Sequence, residues 1–322
     1  METEDVDYTT HRKVILCGVV IFTIIGLFGN ISLITIHFRK PNLRTKHGLL
    51  LSLLSLCQSF CLIYEWAGII HILSKKDATR SSCLKIIAGY VFLHCMQTGL
   101  LATIAVDLLI SITLPFLHRV VRHNVYVCVL SLPSVLYGLV SVAFGFATMD
   151  DDPVEMCNPP SSLSPYVKFY WYMAALVAGA ITVIGYCSAY CILLYQRKHH
   201  ANQSQEIIRK SMRTMSIILL IFLLTRYLAT IGANIMNMAS IQQTIVTLYQ
   251  NYCVFAAMLC YSQNYYVVFW RSAEYRQLLW QQQLTLHNLL FHRCCPLQVK
   301  KEQHSHHTPP LHATEHFSLT PT

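Results

Sequence analysis

The stretch CLKIIAGYVFLHCMQTGLLATIAVD, residues 83–107, decides the fold. Asp107 follows Cys83 by 24 residues. At about 1.5 Å of rise per residue, that separation covers about 36 Å as a helix. The hydrocarbon layer of a bilayer is about 30 Å thick, so the stretch reaches from one membrane edge to the other. Backbone amides in lipid must bond within their own segment, and a helix is the form that allows this.

The same test applied outward from this stretch finds six more segments. Spans are expected at about Val14 to Phe38, Gly48 to Leu73, Leu84 to Ile112, Val125 to Ala147, Tyr166 to Tyr195, Met212 to Met236 and Thr244 to Phe269. The last is interrupted by Gln250, Asn251, Gln263 and Asn264, which are tolerable when they face the bundle interior. The first is too long for a signal peptide and is expected to stay in the protein. Composition agrees: 54% of the residues are hydrophobic and 12% charged, with a mean hydropathy of +0.44. A soluble globular domain carries about 25% charged residues, so an ordinary soluble enzyme is excluded.

Lys and Arg in the short loops set the expected orientation. With the amino terminus outside, the inner side holds Arg39, Lys40, Arg44, Lys46, Arg119, Arg122, Arg197, Lys198, Arg209, Lys210 and Arg213. The outer side holds fewer basic residues and two acidic clusters, Glu2 to Asp7 and Asp150 to Asp152. The net charge of +9 is therefore a topology signal spread over separate loops, and no nucleic-acid partner is expected.

Of 13 cysteines, only Cys83 and Cys157 fall outside or at the outer rim in this topology. In oxidising surroundings they can pair, tying the top of the third helix to the second outer loop. The others read as small apolar fillers of helices or as inner-surface residues. No Cys/His spacing suggests a metal site, and no cofactor is expected.

Asp107 heads the run Asp107-Leu108-Leu109-Ile110, with Pro115 and His118 following. Rhodopsin-like receptors share an outer cysteine and an inner Asp-Arg-Tyr at this spacing, with a proline shortly after. The variant found here resembles the nematode serpentine chemoreceptors of class SX. Leu43-Arg44-Thr45-Lys46, Glu65, Ser262 to Val268 and Trp270 to Arg276 are similar to further stretches of that family.

The resemblance implies an all-α membrane protein, a seven-transmembrane helix bundle with an amphipathic eighth helix. It implies a multi-pass protein of the plasma membrane, extending to sensory cilia, with a heterotrimeric G protein on the inner face. The expected order is an extracellular tail (1–13), the receptor domain (14–270), an amphipathic helix at the inner surface (271–295) and a disordered cytoplasmic tail (296–322). Several family features are altered. Gln58 and Ser59 replace the second-helix aspartate, Leu108 replaces the third-helix arginine, and Asn264-Tyr265 lacks the usual proline.

An ionisable residue inside a span is costly enough that a role is the default expectation. Glu65, His94 and Arg226 are the candidates, with Tyr90 one turn from His94 on the same face and Gln97 a turn further in. Their functional reading is a cavity open to the outside for an extracellular small molecule or peptide; the alternative is mutual satisfaction that holds helices in register. At the inner face, Asp107, Leu108, Pro115, Arg209, Lys210, Arg213 and Asn264 are the expected coupling and switch residues. Cys294 and Cys295 follow an amphipathic stretch and are candidates for palmitoylation, which would add a lipid contact.

Three rivals stand beside a chemosensory receptor. A receptor for an internal neuropeptide or transmitter would suit the acidic second outer loop. A transporter or channel would be expected to show an internal repeat with broken helices. An enzyme would need its acids and bases at one depth, whereas Glu65, His94 and Asp107 lie at different depths.

Overall fold

Prolines and caps set the helix boundaries. In the computed structural model, which describes residues 8–74, 78–154, 157–199, 216–225 and 242–294 with single positions 214, 232 and 239 between, α1 (Tyr8–Arg39) stops just ahead of Pro41. Lys40 is extended there, at φ −105° and ψ 107°, because a residue before proline is disfavoured from the helical region. A single 3-10 turn, Pro41–Leu43, leads to α2 (Lys46–Ser74). The two-residue strand β1 (Ala78–Thr79) then feeds α3 (Arg80–Thr113). Thr79 and Ser82 cap that helix reciprocally, each side chain accepting from the other's backbone N–H.

Helix α3 ends at Thr113, with Leu114 as its cap, again one residue before a proline. Pro115 occupies the first turn of α4 (Pro115–Val120), where its missing N–H would have had no intrahelical partner. The chain continues through α5 (His123–Ala147), β2 (Pro153–Val154), α6 (Pro165–His199), α7 (Ser216–Thr225), α8 (Gln243–Arg271) and α9 (Ala273–Cys294). Neither α4 nor the strands were expected from the sequence.

Among the described residues, α1, α2, α3, α5 and α6 are long and apolar enough to cross a membrane. Helix α8 has comparable length and is more polar, and the structure shows where that polarity goes. Asn264 is 0% exposed, as is Asn30 on α1, and Gln58 on α2 is 1% exposed. By contrast Ile21, Ile24, Val129 and Ile184 are between 56% and 66% exposed. Amides inside and branched aliphatics outside suit a surface that meets lipid.

Helix α3 is the axis of the bundle, packed against α2, α5 and α6, while α1 lies against α2 and α8. Small residues permit the close approach of α3 to α5. A Cβ on Gly99 would fall 2.7 Å from Ser134 Oγ and 2.9 Å from Ser134 Cα, and one on Gly138 would fall 2.9 Å from the Phe92 carbonyl oxygen. Without a hydrophobic drive between helices in lipid, such backbone contact is a main source of association.

One end of the bundle is knotted. β1 pairs antiparallel with β2, Ala78 opposite Val154 and Thr79 opposite Pro153, and a disulfide joins Cys83 to Cys157 with Cα atoms 5.5 Å apart. Arg80 pairs with Asp150 and, at 3.2 Å, with Asp152, while Ser81 donates to Asp151. The segment between α5 and α6 is thus held to the start of α3. We call this the disulfide end, and the opposite one the Asp107 end.

The first compact unit runs to Leu279. Its part of α9 turns Tyr275, Leu278 and Leu279 inward, a spacing of three and four that makes one helical face, while Glu274, Arg276 and Gln277 are exposed. The second unit begins at Trp280, and on its helical stretch Trp280 and Leu284 are 58% and 49% exposed.

Candidate functional site

Towards the disulfide end, four side chains from three helices form a continuous polar chain. Glu65 projects from α2, Tyr90 and His94 from successive turns of α3, and Tyr261 from α8. The Tyr90 hydroxyl donates to Glu65 Oε1 and lies 3.0 Å from the Tyr261 hydroxyl, which in turn lies 3.0 Å from His94 Nδ1. With Tyr90 donating to the carboxylate, its oxygen is left to accept from Tyr261, and Tyr261 to accept from His94. Every donor then points toward Glu65. A hydrogen bond to a charged group contributes about 1.5–3 kcal/mol, so the chain's strongest link is at its acid end.

Aromatic rings surround this chain. Tyr64 stacks on Tyr90 at 6.1 Å with 4° between the planes, and Trp171 of α6 lies 5.3 Å from His94. Trp171 is itself held, its Nε1–H donating to Cys95 Sγ at 3.0 Å and its carbonyl accepting from the Tyr137 hydroxyl at 3.1 Å. Tyr90, Tyr261 and Trp171 are no more than 5% exposed, whereas Glu65 and its neighbours Tyr64 and Trp66 keep partial exposure. Glu65 therefore stands nearer the surface of the bundle than the hydroxyls behind it, which are sealed.

Tyr261 links this chain to a second, neutral network. Asn30 Nδ2 donates to the Tyr261 carbonyl (2.9 Å), and Gln58 Nε2 reaches the carbonyl of Cys260 (3.4 Å). Asn264 Nδ2 donates to Gln58 Oε1 at 2.7 Å, and Gln263 Nε2 to the Ile218 carbonyl on α7 at 3.1 Å. The middle of the bundle is thus crossed by neutral amides. Gln97 is 1% exposed, and neither of its amide atoms has a hydrogen-bond partner among the described residues. The structure places it in the interior but does not join it to Glu65, Tyr90 and His94.

At the Asp107 end, a buried acid gathers two imidazoles. Asp107, 2% exposed, meets His118 Nε2 of α4 at 3.1 Å and His47 Nδ1 of α2 at 3.5 Å. Lys46 donates to the His118 carbonyl and holds its ammonium 4.3 Å above the Tyr126 ring of α5. His118 in turn meets Tyr126 edge-on at 5.3 Å. Asp107 therefore pins together α2, α3, α4 and, through His118, α5. Leu108 is buried beside it, while Pro115 is exposed at the start of α4.

A smaller joint lies nearby. His37 Nδ1 donates to the Leu33 carbonyl at 2.8 Å, leaving Nε2 to accept from the Tyr275 hydroxyl at 2.9 Å. Burial, with Glu274 adding to it, raises the Tyr275 phenol above its ordinary pKa, so the hydroxyl keeps the proton it donates.

The structure brings Glu65, Tyr90 and His94 into one chain and joins Cys83 to Cys157. It sets Asn264 in the amide network, a long way in sequence from Asp107 and in a different cluster. Arg226, Arg209, Lys210, Arg213 and Cys295 lie outside the described residues, and Cys294 closes α9. Sequence reasoning missed Tyr261, Trp171, His47 and Tyr126. Tyr261 had a signal, standing one helical turn before Asn264 on a span already marked by interior polar groups.

The described chain is a bundle of apolar helices with an amide-lined interior, a disulfide from the head of α3 to the following loop and a buried aspartate at its other end. The model of the family described as serpentine type 7TM GPCR chemoreceptor Srsx matches residues 23–282. The chain belongs to that family, and is thus a multi-pass membrane protein of the G-protein-coupled receptor class and not an enzyme. No curated protein matches it.

Proposed function

We propose that this receptor stands in the plasma membrane with its amino terminus and disulfide end outside, binds a small molecule beside Glu65, and signals to a heterotrimeric G protein at the Asp107 end. The observation that carries the reading is the chain Glu65–Tyr90–Tyr261–His94. It offers a half-buried acid on α2 whose chain of hydrogen bonds runs through α8, and α8 also carries Asn264. A ligand that takes Glu65 from Tyr90 alters the partners of Tyr261, and the backbone of Tyr261 is tied to Asn30. Differential contact with two arrangements of α8 is what a receptor needs to convert binding into a shift of population.

At the inner face, the Asp107 cluster holds α2, α3 and α4 in one arrangement, and Arg209, Lys210 and Arg213 supply basic charge for the G protein. Palmitoylation of Cys294 and Cys295 would anchor the end of α9. The loop acids that would suit a peptide are already engaged: Asp150 and Asp152 pair with Arg80, and Asp151 accepts from Ser81. This favours a small ligand over a peptide.

The test is a G-protein reporter in cells expressing the full chain, challenged with extracellular small-molecule and peptide libraries. A response to small molecules, lost when Glu65 or His94 is exchanged for alanine, is expected. A response indifferent to both exchanges would remove the site, and transport or current without G-protein release would remove the receptor mechanism. Tagged protein concentrated in sensory cilia would support an external chemical cue; confinement to interneurons or gut would favour an internal transmitter.

A further inference from the structure

The chemistry around Glu65 selects a charge type for the ligand. Glu65 is the one carboxyl group in its polar chain, and among the described residues no Lys, Arg or His forms an ion pair with it. Its hydrogen-bond partner is a neutral phenol, Tyr90. A carboxylate held inside a membrane bundle by one neutral donor is poorly compensated, because the desolvation of an ion is repaid only by a counter-charge and several hydrogen bonds.

The polar chain that Glu65 begins is flanked by aromatic rings. Tyr64 and Tyr90 present parallel rings, and Trp171 and Tyr261 bracket His94 one turn further in, at 5.3 Å and 6.4 Å. Ring faces carry negative potential and attract a desolvated cation. Trp66, beside Glu65 on α2, is held by donating its indole N–H to Thr23 at 3.1 Å. Tyr64, Glu65 and Trp66 are half-buried and Tyr90 and Tyr261 behind them are buried, so a ligand entering here would meet the acid first.

We infer that the site takes a small organic cation, an amine or quaternary ammonium, whose charge replaces the Tyr90 hydroxyl at Glu65 and lies against the aromatic faces. A neutral ligand would leave the acid as poorly compensated as before, and an anion would add like charge. The inference rests on the proposed ligand site and narrows it to one class. It assigns the acid to α2, where the third helix carries Tyr90. The rival account is that Glu65 is neutralised from within the chain by Arg226.

Full-length protein in lipid nanodiscs would be melted in the presence of phenethylammonium, tetramethylammonium, phenethyl alcohol or hydrocinnamate at millimolar concentration. The two ammonium ions should raise the melting temperature, and the alcohol and the carboxylate should not. Glu65→Gln, which keeps shape and removes charge, should weaken the ammonium effect by about thirtyfold or more. Tyr90→Phe, which keeps the ring and removes the competing hydroxyl, should preserve or strengthen it, whereas a purely structural role for the pair would leave the ammonium effect untouched by either exchange.

Absence of any ammonium effect would overturn the inference in favour of neutralisation by Arg226, and an ammonium effect that survives Glu65→Gln would overturn it by placing the cation away from Glu65. Stabilisation by the alcohol or the carboxylate equal to that by the ammonium ions would remove the cation while leaving a ligand site. Failure of the proposed site itself would read differently: small-molecule signalling in the reporter cells would ignore exchange of Glu65 and His94 altogether.

Discussion

Asp107 is held by two imidazoles from different helices, and this division of partners governs what each substitution does. Asp107→Asn keeps the size of the side chain and removes its charge, so both His47 and His118 lose their carboxylate partner. A hydrogen bond to a charged group contributes about 1.5–3 kcal/mol, and the partial exposure of both histidines sets the expected loss at about 2 kcal/mol. His118→Ala leaves His47 in place and should cost less. Melting of the two variants in nanodiscs checks the order; equal losses would mean that His47 contributes nothing. The place of Asp107 at the far end of α3 from Cys83 was legible in their spacing, because that follows from helical rise alone. Its partners were not: His47, His118 and Tyr126 are brought together by the crossing of α2, α4 and α5 over α3, and no local pattern encodes those crossings.

The helices themselves were the most legible part of the fold. Helix α2, Lys46–Ser74, encloses the expected span Gly48 to Leu73, and α8, Gln243–Arg271, encloses Thr244 to Phe269. Length and hydropathy suffice for that, since the bilayer sets one dimension for every span. They fail at α4 and at the two-residue ladder, which are too short to carry a periodic signal and owe their form to Pro115 and to the disulfide knot. Nor does hydropathy say which glycine matters. The packing of α3 on α5 predicts that Gly99→Ala, whose added carbon meets the Ser134 backbone, lowers stability by about 1–3 kcal/mol. Gly179→Ala on α6 meets nothing within 4 Å and should be neutral or stabilising by up to about 1 kcal/mol. Paired thermal melts decide it; similar losses at both positions would mean that backbone approach does not hold α3 to α5.

For the molecule as a whole, the disulfide end is built to stay closed over the head of α3 while the other end is held by side chains that can part. The disulfide spans 74 residues of chain. Joint replacement of Cys83 and Cys157 by serine should therefore cost about 2–5 kcal/mol. The same fall in melting temperature should appear on reduction of the wild-type protein and be absent in the double variant; a double variant as stable as the wild type would leave the strand ladder and the Arg80 pairs as sufficient ties. Between the two ends runs the amide bridge of Gln58 and Asn264, and its neutrality bears on how the receptor meets an electrical environment. Carrying one elementary charge through the membrane field changes the energy by about 2.3 kcal/mol per 100 mV. An amide that turns over in that field carries no net charge, so this step of switching draws no work from the membrane potential. A cell that depolarises when it detects its cue would therefore not bias, through this bridge, the receptor that triggered it.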